Sequence, residues 1–388
     1  MAYNADMKER RRSSRREFLQ GQSALDAVEA LLPDHDSPPG ERSATRPAAA
    51  DSFSPAHAEQ FLIEVSRRAM ACDFQVLMNA RQHQRATEAA MRALDVVETL
   101  EDQMTVYRSH SEVSRINQTA SAGPVTVEHR LFALLRRARA LSEATGGAFD
   151  ITAGPLIRAW GFYRREGRFP EASEVNEALA SVGYRHLELD ESQRTIRFLR
   201  AGMEINLGAI GKGYALDQCA SRLEDEGVEN FILHGGKSSI LARGERASEA
   251  SRGRGWSIAL RDPLKPEKQL ALLWLRDRAV GTSGDANQFF YHQGRRYGHV
   301  IDPRTGFPSQ GVLSATVITS NAAEADALAT AMFVLAPDDA IAFCRTRPDT
   351  SLLLLTPGNR HGETELAVVN LAPESVEVTQ PHIRVRWH

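Results

Sequence analysis

The chain has 388 residues, of which 42% are hydrophobic and 25% are charged, so its composition allows a sizeable buried core. Its formal net charge of −3 gives no long-range attraction for nucleic acid or an anionic membrane. The uncharged apolar runs are far shorter than the roughly 20 residues that a membrane span needs. We therefore expect a globular protein with no nucleic-acid partner and no transmembrane segment.

The three cysteines, Cys72, Cys219 and Cys344, are odd in number and show no CxxC spacing. This pattern favours free, packed thiols over a disulfide framework or a zinc site.

The N-terminal segment carries Ser-Arg-Arg-Glu-Phe-Leu-Gln at positions 14–20, which matches the twin-arginine export pattern. An export signal should continue with about 7–15 apolar residues. Here Asp26 and Glu29 interrupt that region. We expect a cytoplasmic location, with periplasmic delivery by twin-arginine export as the alternative.

A stretch from Pro33 to Ala58 is rich in Pro, Ser, Ala and charged residues, which is typical of a disordered linker. We predict a basic, Pro-rich tail over residues 1–57 and a folded domain over residues 58–388. The segments FLIEV and CDFQVLMN, from Phe61 onwards, alternate as strands do.

Apolar residues at helical spacing predict two helices, one through Leu94 and Met104 and one from Leu131 to Leu141 that ends at Gly146-Gly147. Further short apolar runs predict strands at residues 231–233, 272–275, 312–318 and 352–355. Helices and strands are interleaved, and turn signals separate the late strands. These features indicate a mixed α+β or α/β architecture.

The first chemically informative segment is NLGAIGKGYALD, residues 206–217. Gly208, Gly211 and Gly213 surround Lys212 where a strand-like stretch leads into a helix that we expect to begin near Tyr214. Backbone that can approach a ligand closely, helix N–H groups and a cation suit a phosphate. A tight structural turn would give the same pattern.

The second segment combines Thr282-Ser283-Gly284-Asp285 with the run from Tyr297 to Gly306. His299 lies among strand-like residues just before an Asp302-Pro-Arg-Thr-Gly turn. Hydroxyls, carboxylates and Arg304 concentrated around it within about 25 residues favour a reactive site over an isolated structural histidine.

The third segment places Asp326 and Thr330 four residues apart in a helix of small apolar residues. Their oxygens then lie on one helix face. A carboxylate and a hydroxyl suit Mg²⁺, which takes its other ligands from water and phosphates. An exposed polar pair is the alternative.

In their order and spacing these segments resemble the ApbE family, the FAD:protein FMN transferases. Met70, Tyr107, the run Gly147–Asp150 before Trp160, and Gly235-Gly236 agree as well. The resemblance covers roughly residues 60–335 and extends towards the C-terminus. It implies a single two-lobed catalytic domain related to the T-fold.

The resemblance also implies which residues bind ligands. It implies an FAD site lined by Met70, Tyr107, Ala148, Phe149, Asp150, Lys212, His299 and Ile301. It implies Mg²⁺ ligation by Asp326, Thr330 and a backbone carbonyl near Ala209. Departures from the family pattern are Ala71-Cys72 in place of Gly-Thr, Asn206 in place of Asp, and Lys237 after the paired glycines.

The implied reaction is Mg²⁺-dependent transfer of the FMN half of FAD to a Ser or Thr of a partner protein, with AMP leaving. Lys212 would stabilise charge on the pyrophosphate, and His299 or Asp302 would act as the general base. An FAD pyrophosphatase and a non-catalytic FAD carrier are the alternatives.

Overall fold

The computed structural model describes residues 61–388, apart from positions 165, 287, 359, 361 and 362. All the described residues belong to one compact unit, Phe53–His388. The predicted tail, its twin-arginine motif and the domain boundary at residue 58 lie outside them.

The central element is a nine-stranded sheet. Its strands follow the order β1 (Leu62–Ala69), β2 (Cys72–Asn79), β6 (Phe231–Gly235), β7 (Ser239–Arg243), β10 (Ala279–Gly284), β13 (Ser314–Thr319), β14 (Ser351–Pro357), β15 (Thr364–Val369) and β17 (Arg384–Trp387). Neighbours pair antiparallel except β15 and β17, which are parallel.

Three smaller sheets accompany the central one. They are β3 (Val125–Thr126) with β5 (Thr195–Phe198) and β4 (Leu187–Asp190), β16 (Val376–Val378) with β9 (Gln269–Leu275) and β8 (Trp256–Arg261), and the hairpin β11 (Phe289–His292) and β12 (Arg295–Gly298).

The described part of the chain also forms eight α-helices. They are α1 (Ala86–Met104), α2 (Glu112–Thr119), α3 (His129–Ala144), α4 (Gly154–Ala159), α5 (Ala172–Ala180), α6 (Gly211–Asp225), α7 (Ala322–Val334) and α8 (Pro337–Arg345). No helix among these described residues is both long enough and apolar enough to cross a membrane.

The two faces of the central sheet bury different hydrophobic cores. Helices α1, α6 and α7 pack on one face, where Phe74, Leu216 and Leu328 are fully buried. The β16-β9-β8 sheet covers the other face, with Ile258 and Leu273 buried between the sheets. Successive side chains of a strand point to opposite faces of the sheet, so apolar residues of one strand can contribute to both cores.

A third core surrounds Trp160, whose indole Nε1 donates to the carbonyl of Gly306 over 2.8 Å. It packs α4 and α5 against the β11–β12 hairpin, with Tyr297 stacked on Trp160. This core lies directly beside the segment that carries His299.

The mixed α/β architecture and the main elements are confirmed. The predicted strands at 231–233, 272–275 and 352–355 are present, and the one predicted at 312–318 begins two residues later, at Ser314. The second predicted helix ends as expected, with Gly146 and Gly147 at φ values of 58° and 82°. The three cysteines are free.

Two local predictions were wrong. The helix expected near Tyr214 begins at Gly211, because the Gly211 N–H already donates to the carbonyl of Leu207. The strand-like stretch before it forms only an isolated bridge between Glu204 and Ala153. The Asn117 amide bonds both the N–H and the carbonyl of Ile205, taking the place of a partner strand.

Candidate active site

The N-terminus of α6 lies directly against α7. The backbone N–H of Gly213 donates to Oδ2 of Asp326 over 2.8 Å. A Cβ at position 213 would overlap the carbonyl of Ala322 and lie 2.7 Å from the nitrogen of Ala323. Only glycine allows the two helices to approach this closely.

A backbone carbonyl at the start of α6 is also free. Gly213 is the third residue of α6, and the N–H groups of a first helical turn have no acceptor within the helix. Among the described residues, no backbone N–H donates to the carbonyl of Ala209, which precedes the N-cap Ile210. A free carbonyl oxygen is a suitable metal ligand.

The loop that presents Ala209 is held at several points. Besides the Asn117 bonds, the Asn206 N–H donates to the carbonyl of Ile151 over 2.7 Å. The Asn206 side chain accepts from the N–H of Gly208. The position of the Ala209 carbonyl is thus fixed by the fold.

Asp326 is a buried carboxylate whose two oxygens differ. Oδ2 accepts from the Gly213 N–H and from the hydroxyl of Ser239, at 2.8 and 2.9 Å. Oδ1 accepts no hydrogen bond from the described part of the chain. Burial raises the pKa of Asp326 to about 6, and the positive charge of Lys212 partly opposes that rise. The free oxygen therefore suits a cation that would offset the cost of burial.

Thr330 and Lys212 complete this cluster. The hydroxyls of Thr330 and Ser283 are hydrogen-bonded at 3.1 Å, one turn of α7 beyond Asp326. The Lys212 ammonium donates to the hydroxyl of Ser238 over 2.6 Å. Its charge also lowers the pKa of His299, so it lies in the same electrostatic environment as Asp326 and His299.

His299 lies immediately after β12 and not within a strand. Its Nδ1 is 3.2 Å from the carbonyl oxygen of Gln288. A carbonyl can only accept, so we assign the proton of the neutral ring to Nδ1, which leaves Nε2 as a proton acceptor. Burial is the main cause that lowers the pKa of His299, so the neutral ring is favoured.

Asp302, the other candidate base, is engaged in an ion pair. Its Oδ1 and Oδ2 accept from Nε and Nη2 of Arg304 at 2.9 and 2.8 Å, and Oδ1 also accepts the Arg304 N–H. The predicted turn is present, with the Gly306 N–H donating to the Asp302 carbonyl. A carboxylate bonded in this way is a poor proton acceptor, which favours His299.

Two residues of the implied FAD site lie on hairpins or loops. Met70 and Ala71 form the turn between β1 and β2, with φ values of 48° and 60°. Positive φ at both positions suits a two-residue hairpin, although neither is the usual glycine. Tyr107 exposes 65% of its surface, and its ring lies 4.9 Å from that of Tyr163.

Four further residues of the implied FAD site have side chains that a ligand cannot reach. Ala148, Phe149 and Ile301 are buried in the cores. The Asp150 carboxylate accepts from the Thr152 N–H, the Thr152 hydroxyl and the Tyr184 N–H. Any contact of these residues with a ligand in this conformation would have to use backbone atoms.

The oxygen atoms gathered here fit a hard divalent cation. A carboxylate, a hydroxyl and a backbone carbonyl are the ligand types that Mg²⁺ accepts. Among the described residues there is no group of three or more His, Cys, Asp or Glu side chains that could hold a metal without other ligands. A metal held at Asp326 and Thr330 would thus depend on further oxygens, as a phosphate substrate provides.

Sequence reasoning missed Ser239, whose hydroxyl orients Asp326, and the contact of Ser283 with Thr330. The only signal for Ser239 was its position three residues after the paired glycines. The tertiary fold brings these hydroxyls to α7. No spacing in the local sequence indicates the contacts.

Comparison with known proteins gives the family. Residues 70–354 match the pattern of the ApbE family. The chain is 33% identical over 282 residues to the FAD:protein FMN transferase of Treponema pallidum, covering 69% of this chain and 78% of that protein. It is 31% identical to the enzyme of the same name from Klebsiella pneumoniae, covering 72% and 85% of the two chains.

A solved structure agrees with the sequence comparisons. The ApbE protein of Thermotoga maritima superposes with a TM-score of 0.69 at 29% identity, over 76% of this chain and 94% of that one. The fold and the relatives define a class of α/β enzymes that transfer FMN from FAD to protein. The chain belongs to the ApbE family.

Proposed function

We propose that this protein transfers the FMN moiety of FAD to a Ser or Thr hydroxyl of a partner protein, with Mg²⁺ bound at Asp326. FAD as the substrate and a protein as the acceptor follow from the names of the relatives. The observation that carries the proposal is the contact of Asp326 with the start of α6, where Lys212 lies, which leaves one carboxylate oxygen free beside that positive charge.

The reaction is a substitution at phosphorus. The acceptor oxygen forms a new bond to the FMN phosphorus of FAD, the pyrophosphate P–O bond breaks, and AMP leaves. The hydroxyl proton passes to a base, for which Nε2 of His299 is free. A hydroxyl is a weak nucleophile at its ordinary pKa, so this proton transfer accelerates the attack.

Charge stabilisation is the second requirement. Mg²⁺ bound at the site would neutralise charge on the pyrophosphate oxygens. Lys212 adds a fixed positive charge, and its hydrogen bond to Ser238 holds the ammonium in place. The positive end of the α6 dipole, at its N-terminus, also favours an anion in the same region.

The flavin and adenine rings need apolar or aromatic surfaces. The exposed ring of Tyr107 can stack on an aromatic ring, and Met70 offers a half-buried thioether at the tip of the β1–β2 hairpin. Ala148, Phe149, Asp150 and Ile301 would contribute backbone contacts.

Product analysis tests the proposal against its two rivals. The protein is incubated with FAD, Mg²⁺ and candidate acceptor proteins, and flavins and AMP are separated by chromatography while each acceptor is weighed as an intact protein. We expect AMP and a flavin-bearing acceptor. Free FMN with an unmodified acceptor would indicate a pyrophosphatase, and unchanged FAD would indicate a carrier.

We propose a cytoplasmic location, because Asp26 and Glu29 interrupt the apolar region that export requires. Cell fractionation of the native host, with sequencing of the mature N-terminus, decides this. A periplasmic product that begins after Ala48 or Ala58 would show that the twin-arginine motif is used.

A further inference from the structure

Helices α6 and α7 are joined by a second contact one helical turn from the Gly213–Asp326 bond. The Asp217 carboxylate on α6 accepts from the N–H groups of Ala322 and Ala323, at 2.7 and 2.9 Å. These residues are the first two of α7, so a side chain from another helix caps this N-terminus. The side chain of the local N-cap, Asn321, accepts the N–H of Glu324.

The two contacts form a matched pair. Gly213 and Asp217 are four residues apart on α6, and Ala322 and Asp326 are four apart on α7. Residues at this spacing lie on one helix face. Two hydrogen-bonded points one turn apart resist both sliding and rotation of α7 against α6.

The charge of Asp217 is costly where it lies. Burial raises its pKa, although the N–H groups of Ala322 and Ala323 and the positive charges of Arg137 and Arg243 oppose the rise. A helix N-terminus does not require a buried carboxylate as its cap, since an exposed Asn or Ser side chain can accept hydrogen bonds from its first N–H groups. The contact between helices is what distinguishes Asp217 from an ordinary cap.

We propose that Asp217 is a positioning residue that sets the register of α7 on α6 and so brings Asp326 and Thr330 to the Ala209 carbonyl and Lys212. This inference rests on the proposed function, because it concerns the same metal site. Asp217 contacts no substrate and acts only through α7.

The test measures Mn²⁺ affinity by electron paramagnetic resonance, with and without FAD, in three variants of the full chain. Asp217→Asn removes the charge and one of the two acceptors. Asp217→Glu keeps both oxygens and the charge but lengthens the side chain. Asn321→Ala is the matched control, because it also removes a cap of α7, and the Asn321 side chain forms no hydrogen bond to the described residues of α6.

We expect both Asp217 variants to weaken Mn²⁺ binding by on the order of tenfold, as is typical when a group that orients metal ligands is changed. At saturating metal, the FMN-transfer rate of the Asp217 variants should lie closer to the wild-type rate than their Mn²⁺ affinity lies to the wild-type affinity. Asn321→Ala should lower the melting temperature and leave the Mn²⁺ affinity unchanged.

Three outcomes would overturn the role of Asp217. They are unchanged affinity in Asp217→Asn, an equal loss in Asn321→Ala, and wild-type affinity in Asp217→Glu, which would show that charge alone matters. If Asp217→Asn does not fold, the comparison of Mn²⁺ affinity between Asp217→Glu and Asn321→Ala still tests the role of Asp217. A wild-type protein that binds no Mn²⁺ would refute the metal site, and with it the role of Asp217.

Discussion

The backbone N–H of Gly213 donates to the carboxylate of Asp326 across the interface of two helices, 113 positions apart in the chain. This bond orients one oxygen of Asp326 and leaves the other free. The free oxygen of Asp326 is the first of the three proposed metal ligands.

The first prediction concerns this helix contact. Gly213→Ala gains about 1 kcal/mol of helix propensity but forces a Cβ into the backbone of Ala322. Overpacking costs about 1–3 kcal/mol, so we expect a lower melting temperature and weaker metal binding. In Gly211→Ala the new Cβ lies 3.7 Å from its nearest neighbour, Met104. A Gly211→Ala variant as unstable as Gly213→Ala would contradict the close-approach argument.

The second prediction concerns Asp326. Replacing it with Ala should lower FMN transfer by roughly 10²–10³-fold, because metal charge stabilisation contributes several kcal/mol. The Gly213 N–H and Ser239 hydroxyl would lose their acceptor, at a cost of about 1–3 kcal/mol. Asp326→Asn is the matched control for folding, since an amide oxygen in the place of Oδ2 can still accept both of these hydrogen bonds. Undiminished transfer by Asp326→Ala in the presence of a chelator would disprove the metal assignment.

The third prediction separates the two candidate bases by pH. His299 must be neutral to accept a proton, and burial lowers its pKa below the ordinary value of about 6.5. At saturating Mg²⁺, kcat/KM should therefore stay high as the pH falls to 6.5 and should decline only below it. His299→Ala should lower kcat/KM by about 10²–10⁴-fold and remove that decline.

Asp302→Asn provides the comparison for this profile. It weakens the Arg304 ion pair but should keep the acidic decline that belongs to His299. If Asp302→Asn abolished that decline while His299→Ala kept it, Asp302 would be the base.

The fourth prediction concerns the N-terminal segment. A chain that begins at Ala58 should fold and transfer FMN normally, because residues 1–57 have the composition of a tail and β1 begins at Leu62. Thermal melting followed by circular dichroism, together with FAD fluorescence, compares this chain with the full-length protein. Precipitation or loss of FAD binding would place part of the tail in the core.

Periodicity in the sequence predicted five of the nine strands of the central sheet, β1, β2, β6, β13 and β14, but not β7, β10, β15 or β17. The small apolar residues around Asp326 and Thr330 also predicted the helix that carries them. The spacing of that pair is local, so helical geometry alone places both on one face. Ser239 could not be predicted in the same way, since it reaches Asp326 from 87 positions away through the pairing of β7 with β10.

The start of α6 shows a second limit. Glycine is a poor helix former, so Gly211 and Gly213 suggested a turn before the helix. In the structure both lie in its first turn, because packing against α7 requires a residue without a side chain at position 213. Tertiary contact here outweighs local propensity.

The most direct test of the proposed activity is the site and stoichiometry of flavin on the acceptor. After incubation with FAD and Mg²⁺, the acceptor is digested and its peptides are sequenced by mass spectrometry while AMP is quantified. The account predicts one FMN phosphoester on a Ser or Thr for each AMP released, and neither product with Asp326→Ala. AMP released together with free FMN, with no flavin on any acceptor peptide, would contradict it.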